Sequence, residues 1–142
     1  MMEPLYETTM INTGGRDGEV HSEDKSFSLN VKQPKQMTGE DTKETNPEQL
    51  FAAAYSACFN SALDGVLKKA KVENTGRVVK ATAKLLKDEG DGGFKLGASI
   101  EVEFEDVDTD KAQQYVEDAH KLCPYSKMAR DGIEVELKGT TK

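Results

Sequence analysis

Two cysteines are the residues of this chain best suited to chemistry. Cys58 lies between Ala57 and Phe59, and Cys123 lies directly before Pro124. A thiolate can attack an oxidant, and a second thiol can then close a disulfide. A free cysteine is also often a small apolar residue of a buried core. Position alone favours core packing for both thiols and leaves the redox role open, because only the fold decides whether the sulfurs meet.

The cellular compartment that the sequence suggests bears on those thiols. Residues Met1 to Met10 carry Glu3 and Glu7 where a secretory signal has a basic and then an apolar segment. No continuous apolar run reaches 18 residues, so we expect no membrane insertion. We therefore predict a cytoplasmic protein. Static structural disulfides are rare in a reducing cytosol, which leaves inert core thiols or redox-active ones.

Length and charge restrict the classes of function. The chain has 142 residues, with 36% hydrophobic and 32% charged, which fits a single domain spanning 1–142. The net charge of −7 argues against a nucleic-acid partner, because phosphate binding needs a basic face. The chain has no CxxC pair, and His120-x-x-Cys123 supplies only two of the usual four metal ligands. We expect neither a metal site nor a cofactor.

Two charged residues gain interest beside a thiol. Arg16 lies in the turn Gly14–Gly18, where a solvated hairpin tip is the simplest interpretation. Glu48 falls in the first turn of a predicted helix, where a negative charge is favourable to the helix dipole. Taken singly, these residues permit a thiol site without establishing one.

The elements that must position these residues follow from periodicity. Short β-strands are predicted over Leu5–Asn12, from Val20 and over Phe27–Val31, and Lys35–Thr45 is predicted to be a surface loop. Asn46, Pro47 and Gln49 form a helix start with a capping box. The helix runs to about Lys71 and is apolar nearly all round, which predicts that it is buried.

The second half alternates strands and helices. The predicted elements are strands at Val79–Leu86 and Phe94–Phe104, a helix from Asp108 or Thr109 to Cys123-Pro124, a turn at Tyr125–Arg130 and a last strand at Ile133–Leu137. The predicted class is α+β.

Three segments together resemble one family. Thr45–Ala53 with Ala57-Cys58-Phe59 is similar to the first-cysteine motif of the organic hydroperoxide resistance branch of the OsmC/Ohr family. Gly14–Gly18 resembles that branch's arginine turn, and Cys123-Pro124-Tyr125-Ser126 resembles its second-cysteine motif. The order and spacing also match, and the resemblance covers about Leu5 to Leu137. Where many members have a Gly-rich stretch before the first motif, this chain has Gly39 alone.

The resemblance implies an activity and a fold. It implies antiparallel strands wrapping two helices, with a long buried central helix, in an intertwined homodimer. It assigns Cys58 as the peroxidatic thiol, Cys123 as the resolving thiol, and Arg16 with Glu48 as the activating pair. An organic hydroperoxide would be reduced to an alcohol, and a dithiol such as dihydrolipoamide would reduce the Cys58–Cys123 disulfide. The expected substrate pocket is apolar and is formed by Phe51, Tyr55, Phe59 and Tyr125.

Helix geometry adds an expectation about assembly. Glu48 and Cys58 are ten residues apart on one predicted helix, which places them about 15 Å apart along its axis. A glutamate side chain does not cover that span. Antiparallel central helices in a two-fold dimer would bring Glu48 of one subunit beside Cys58 of the other. We therefore expect a composite site across a homodimer.

Three alternatives stay open at this stage. The chain could be a peroxidase of the osmotically induced branch, which shares the two cysteines. It could be a redox-responsive binding protein whose disulfide alters a partner surface. It could also be a non-catalytic α+β domain with two core cysteines.

Overall fold

The computed structural model of the chain describes residues 2–72 and 76–142. Contacts group the residues into two units, Met1–Phe51 and Ala52–Lys142, and each unit is described by itself. Within the described ranges the chain forms five strands, four α-helices and one 3-10 turn. The α+β class predicted from the sequence is therefore confirmed.

The first unit contains a three-stranded antiparallel sheet in the order β1-β2-β3. Its strands are Met10–Thr13 (β1), Gly18–Ser22 (β2) and Ser28–Val31 (β3). The first strand is shorter than the predicted Leu5–Asn12 and begins only at Met10. Its register pairs Thr13 with Glu19 across a tight connection, and this connection holds a 3-10 turn at Gly15–Asp17.

Glycine is required at two positions of that connection. Gly14 has a φ of +85°, a left-handed conformation that side chains rarely adopt. A Cβ at Gly18 would lie 1.8 Å from the Thr13 carbonyl oxygen, so no side chain fits there. The turn that presents Arg16 therefore depends on the glycines on either side of it.

The segment predicted as a loop is partly helical. Lys35–Thr38 forms a short helix (α1) that follows Pro34 and ends at Gly39, whose φ is +80°. Proline fixes a backbone angle that suits a helix start, and glycine accepts the left-handed angle that ends a helix. The loop prediction is therefore wrong for these four residues.

The central helix, α2, spans Pro47–Lys69 and begins where the sequence predicts. The Asn46 side chain accepts a hydrogen bond from the Gln49 backbone N–H at 2.8 Å. The Gln49 side chain accepts one from the Thr45 hydroxyl at 3.0 Å. The helix start is thus capped by the residue expected to cap it, and the helix ends two residues before the predicted Lys71.

The prediction that α2 is buried all round is wrong for the single chain. The buried residues of the helix form one face and are Tyr55, Phe59, Leu63, Val66 and Leu67. Ala53, Ala57, Ser61 and Gly65 recur every four residues and are exposed. By length and composition α2 also meets the requirement for crossing a bilayer, but the core helix of a soluble protein meets the same requirement. The spacing of its buried residues is typical of a core helix.

The second unit carries a long hairpin and two further helices. Arg77–Lys87 (β4) and Phe94–Phe104 (β5) pair antiparallel over their whole length. Thr109–Leu122 (α3) begins at Asp108, whose side chain accepts a hydrogen bond from the Lys111 N–H at 3.0 Å. These elements follow the predicted periodicity closely.

The end of the chain differs from its prediction in two places. Tyr125–Arg130, predicted as a turn, lies in a helix (α4, Pro124–Asp131) with Pro124 in its first turn. Proline ends one helix but is also favoured at the first position of the next. Ile133–Leu137 forms no strand within the described ranges, and its three apolar residues are exposed. Alternation predicts a strand only where an edge is available for pairing.

Candidate active site

The two thiols meet in the second unit. The Cys123 Sγ lies 3.5 Å from the Cys58 Sγ, and both cysteines are free. Cys58 is in the middle of α2 and half-buried, whereas Cys123 is fully buried between the end of α3 and the start of α4. A disulfide needs a sulfur–sulfur distance of about 2.0 Å. A small approach of the sulfurs, with two electrons and two protons lost to an oxidant, would therefore join them in a disulfide.

The surroundings of Cys58 disfavour its anion. Burial raises the pKa of the Cys58 thiol above its ordinary value, and the Cys123 thiol adds to that rise. The Tyr125 backbone N–H acts in the opposite direction, because it donates a hydrogen bond to the Cys58 sulfur. This N–H lies in the first turn of α4, where amides have no partner within the helix. These contacts alone leave Cys58 a slow nucleophile at neutral pH.

A buried pair of hydroxyls lies beside the thiols. The Tyr55 hydroxyl and the Ser126 hydroxyl are hydrogen-bonded at 2.7 Å. Tyr55 is 4% exposed and Ser126 is 0% exposed, so the bond is shielded from water. The bond connects α2, which contains Cys58, to α4, which starts directly after Cys123. Ser126 is the last residue of the Cys123-Pro124-Tyr125-Ser126 motif, and no sequence pattern predicts a role for it.

Aromatic side chains surround this pair. The Tyr55 ring lies 5.9 Å from the Tyr125 ring and 6.4 Å from the Phe59 ring, measured between centroids. Three of the four predicted pocket residues therefore lie together. The fourth, Phe51, is half-buried and belongs to the first unit.

A cleft of 810 Å³ opens next to two of these aromatics. Tyr55 and Phe59 line it together with Ile100 and Val116, and His120 and Arg130 are among its polar residues. The Arg130 Nη1 donates a hydrogen bond of 2.5 Å to the His120 carbonyl oxygen. The cleft is largely apolar, with charge at one side, which suits an organic molecule more than a small polar one.

The predicted ion pair is present in the first unit. The Arg16 Nη1 donates to the Glu48 Oε1 at 2.7 Å and to Oε2 at 3.1 Å. Both bonds come from one nitrogen, whereas a bidentate arginine–carboxylate pair uses two. The Arg16 side chain is 42% exposed and the Glu48 side chain 18% exposed. A pair this accessible contributes little to stability, about 0–1 kcal/mol, so its significance lies in orientation.

The turn that carries Arg16 is held by a residue that sequence reasoning missed. The Asn12 Oδ1 accepts from the Gly15 N–H at 3.1 Å, and its Nδ2 donates to the Gly15 carbonyl at 3.2 Å and the Glu19 carbonyl at 3.0 Å. Asparagine often bonds backbone groups within turns. An asparagine two residues before Gly14-Gly15 was a signal that could have identified it.

Across residues 2–72 and 76–142, no group of three or more His, Cys, Asp and Glu residues could hold a metal ion.

The chain is similar to known proteins of one family. The family model described as "OsmC-like protein" matches residues 39–138. The "Organic hydroperoxide resistance protein-like 2" of Staphylococcus epidermidis is 50% identical over 142 residues and covers 100% of both chains. The "Organic hydroperoxide resistance protein OhrB" of Bacillus subtilis is 40% identical, over 94% of this chain and 97% of that protein.

Solved structures show the same fold. The crystal structure of Bacillus subtilis OhrB has a TM-score of 0.81 and 40% identity, over 95% of this chain and 98% of that one. An organic hydroperoxide resistance protein from Elizabethkingia anophelis has a TM-score of 0.82 and 41% identity, over 94% of each chain. From the family model, the relatives and the fold, the chain belongs to the organic hydroperoxide resistance branch of the OsmC/Ohr family.

Proposed function

We propose that this chain is a thiol-dependent peroxidase that reduces organic, lipid-type hydroperoxides to alcohols. The observation that supports this most directly is the 3.5 Å separation of the free Cys58 and Cys123 sulfurs. Membership of a family named for organic hydroperoxide resistance supports the substrate class. We take residues 1–142 as one functional domain that requires no cofactor.

The first step takes place at Cys58, the more accessible of the two thiols. Its thiolate attacks the distal oxygen of the hydroperoxide, and the O–O bond breaks. The alkoxide leaves and takes a proton to become the alcohol, while Cys58 becomes a sulfenic acid. The sulfur is oxidised by two electrons and the peroxide is reduced by two.

The second step uses Cys123. Its sulfur attacks the sulfenic sulfur of Cys58, the S–O bond breaks, and oxygen leaves as water with the thiol proton. The product is a Cys58–Cys123 disulfide. An external dithiol of the lipoyl type, such as dihydrolipoamide, then returns both cysteines to thiols and becomes a disulfide itself.

Activation of Cys58 needs a cation, because burial raises its pKa. We propose that Arg16, held by Glu48, supplies that charge from the partner subunit of a homodimer. Glu48 and Cys58 lie ten residues apart on the continuous helix α2, about 15 Å along its axis. A two-fold dimer with antiparallel α2 helices removes that separation.

Exposed apolar surface supports the dimer. The face of α2 with Ala53, Ala57, Ser61 and Gly65 is exposed, and small residues allow two helices to approach closely. Ile133, Val135 and Leu137 are 65%, 67% and 90% exposed in an extended segment. Their alternation suits a strand that pairs outside its own chain.

The substrate is proposed to contact the aromatic residues predicted for the pocket, namely Phe51, Tyr55, Phe59 and Tyr125. The apolar cleft beside Tyr55 and Phe59 favours an organic hydroperoxide over hydrogen peroxide. We propose a cytoplasmic location, where dithiol reductants are available and static structural disulfides are rare.

Peroxide consumption with dihydrolipoamide tests the proposal. Wild type should consume a lipid hydroperoxide much faster than hydrogen peroxide, and Cys58→Ser should consume neither. Cys123→Ser should react once and then accumulate sulfinic acid at Cys58, seen by mass spectrometry. Full activity in Cys58→Ser would refute the proposal. Faster turnover of hydrogen peroxide would favour the osmotically induced branch, and oxidation without turnover under any dithiol would favour a redox-responsive binding protein.

A further inference from the structure

The buried bond between Tyr55 and Ser126 has a definite relation to the two cysteines. Tyr55 precedes Cys58 by three residues on α2, and Ser126 follows Cys123 by three residues at the start of α4. Both pairs therefore join the same two segments, about one helical turn apart. The hydroxyls are 2.7 Å apart and the sulfurs 3.5 Å apart.

Because the Tyr55–Ser126 bond is buried, it opposes movements that would separate the two hydroxyls. Ser126 and Cys123 are both 0% exposed, and Tyr55 is 4% exposed. A buried hydroxyl that loses its hydrogen-bond partner destabilises the folded protein. Any shift of α4 along α2 that separates the two hydroxyls is therefore opposed. The same shift would carry Cys123 away from Cys58, because Cys123 is the residue from which α4 starts.

From this arrangement we propose that Tyr55 and Ser126 are positioning residues that hold the start of α4 in register with α2, so that the Cys123 sulfur faces the Cys58 sulfur. In the peroxidase cycle, which rests on the proposed function, they act on disulfide closure. They do not contact the breaking O–O bond. The Tyr125 N–H, which donates to the Cys58 sulfur, is fixed by the same register.

The proposal predicts which step fails when the bond is lost. Attack of Cys123 on the Cys58 sulfenic acid requires the Cys123 sulfur to lie within reach of the Cys58 sulfur and in line with the S–O bond that breaks. Loss of one neutral hydrogen bond changes an equilibrium by roughly 3- to 10-fold. In Ser126→Ala, which leaves every residue of the proposed substrate pocket in place, peroxide attack on Cys58 should change less than twofold, while closure should slow and over-oxidation of Cys58 should rise.

Equilibration with glutathione tests the proposal without any peroxide. The ratio of disulfide to dithiol at known glutathione poise gives the effective concentration of one thiol beside the other. We expect Tyr55→Phe and Ser126→Ala each to lower it by roughly 3- to 10-fold. Ser56→Ala is the matched control, because Ser56 lies on α2 and bonds the Ala53 carbonyl of its own helix at 2.8 Å. It should stay within twofold of wild type.

The double variant Tyr55→Phe/Ser126→Ala separates positioning from general damage. Because the residues share one bond, the double should resemble a single variant rather than the product of both. Circular dichroism checks folding, and either single variant suffices if the other does not fold. An effective concentration within twofold of wild type in the folded variants overturns the proposal.

A second measurement follows sulfinic acid at Cys58 after excess lipid hydroperoxide, which should rise in both single variants. If wild type consumes no hydroperoxide but the glutathione equilibrium shifts as expected, the proposed function fails and the positioning role stands. If wild type is active and the equilibrium does not shift, the positioning role fails and the function stands.

Discussion

The Arg16 guanidinium reaches both carboxylate oxygens of Glu48 through one nitrogen, Nη1, at 2.7 and 3.1 Å. This pair ties the turn between β1 and β2 to the first turn of α2. Glu48 is the less exposed partner and lies in the first turn of α2, so the helix fixes its position. Glu48 in turn orients the Arg16 side chain. An arginine held this way keeps its charge at every physiological pH and can stabilise a nearby thiolate.

Removing the Arg16 charge should raise the pKa of Cys58. Burial already raises this pKa, and a cation opposes that effect. The pH at which half of Cys58 is thiolate, the midpoint of its alkylation profile, should therefore be higher in Arg16→Ala. At pH 7, below the midpoint, one unit of rise reduces the thiolate about tenfold. Alkylation of Cys58 should therefore be about tenfold slower at pH 7, and the two rates should converge only where the pH exceeds the raised pKa of the variant. A pH series of iodoacetamide rates measures this.

Two variants control that experiment. Arg16→Lys keeps the charge but loses the planar donor set, so its midpoint should fall between wild type and Arg16→Ala. Lys35→Ala removes an exposed cation of the same unit, paired with Asp41 at 3.1 Å, and should leave the midpoint unchanged. An Arg16→Ala profile that overlays the wild-type profile would exclude Arg16 from the site.

Mixed dimers should reveal whether the site is shared between subunits. The Cys58→Ser homodimer should be inactive, and the Arg16→Ala homodimer should retain about a tenth of the wild-type activity, because its thiolate fraction is about tenfold lower. In a heterodimer of the two, the intact Cys58 of one chain faces the intact Arg16 of the other. Random exchange yields about half heterodimers with one working site each, so about a quarter of wild-type peroxidase activity should return. The measurement is hydroperoxide turnover before and after unfolding and refolding the two variants together.

The complementation experiment has a clear opposite result. If Arg16 acts on Cys58 of its own chain, no subunit in the mixture carries both groups, and activity stays at the low level of the Arg16→Ala variant. A matched mixture of Cys58→Ser with Cys58→Ser/Arg16→Ala should give no activity in either case.

The sequence predicted elements best where the signal is local. The alternation over Phe94–Phe104 matches β5 to the residue, and Asn46 caps α2 as expected. Both depend on neighbours within one strand or one turn. Pro124 marks the end of α3 as the sequence predicts, but proline is also favoured in the first turn of a helix, and α4 begins there in place of the predicted turn.

The remaining differences concern contacts between distant residues. The alternation at Ile133–Leu137 is as regular as that of β5, yet a strand forms only against a partner edge. The apolar composition of α2 indicated burial but not which face is covered within one chain. The Tyr55–Ser126 bond joins residues 71 positions apart, and no local pattern specifies such a pair.

Asn12 should matter to activity through the turn that it holds. Asn12→Ala removes the acceptor for the Gly15 N–H and three donated bonds, so Arg16 should sample more conformations. We expect kcat/KM for a lipid hydroperoxide to fall by roughly tenfold, since each lost bond contributes a few-fold effect. The glutathione equilibrium of the Cys58–Cys123 pair should not change. Asn30→Ala, an exposed asparagine on β3, is the control, and equal losses in both variants would contradict the prediction.

Deleting residues 133–142 should separate assembly from the chemistry of the thiols. Ile133, Val135 and Leu137 are exposed in the single chain, and the proposed dimer would cover them. Light scattering should show a shift from dimer to monomer, because burying three apolar side chains contributes several kcal/mol, at about 1.5–3 kcal/mol each. Peroxidase turnover should fall with it, while the disulfide still forms under diamide, since both cysteines belong to one unit.

The substitution Ile133→Ser/Val135→Ser/Leu137→Ser should reproduce the effect at full length. Glu134→Gln/Glu136→Gln, on the alternate positions, should not. A fully active monomer would rule out a site shared between subunits, and a truncated chain that stays dimeric would rule out the role of the tail.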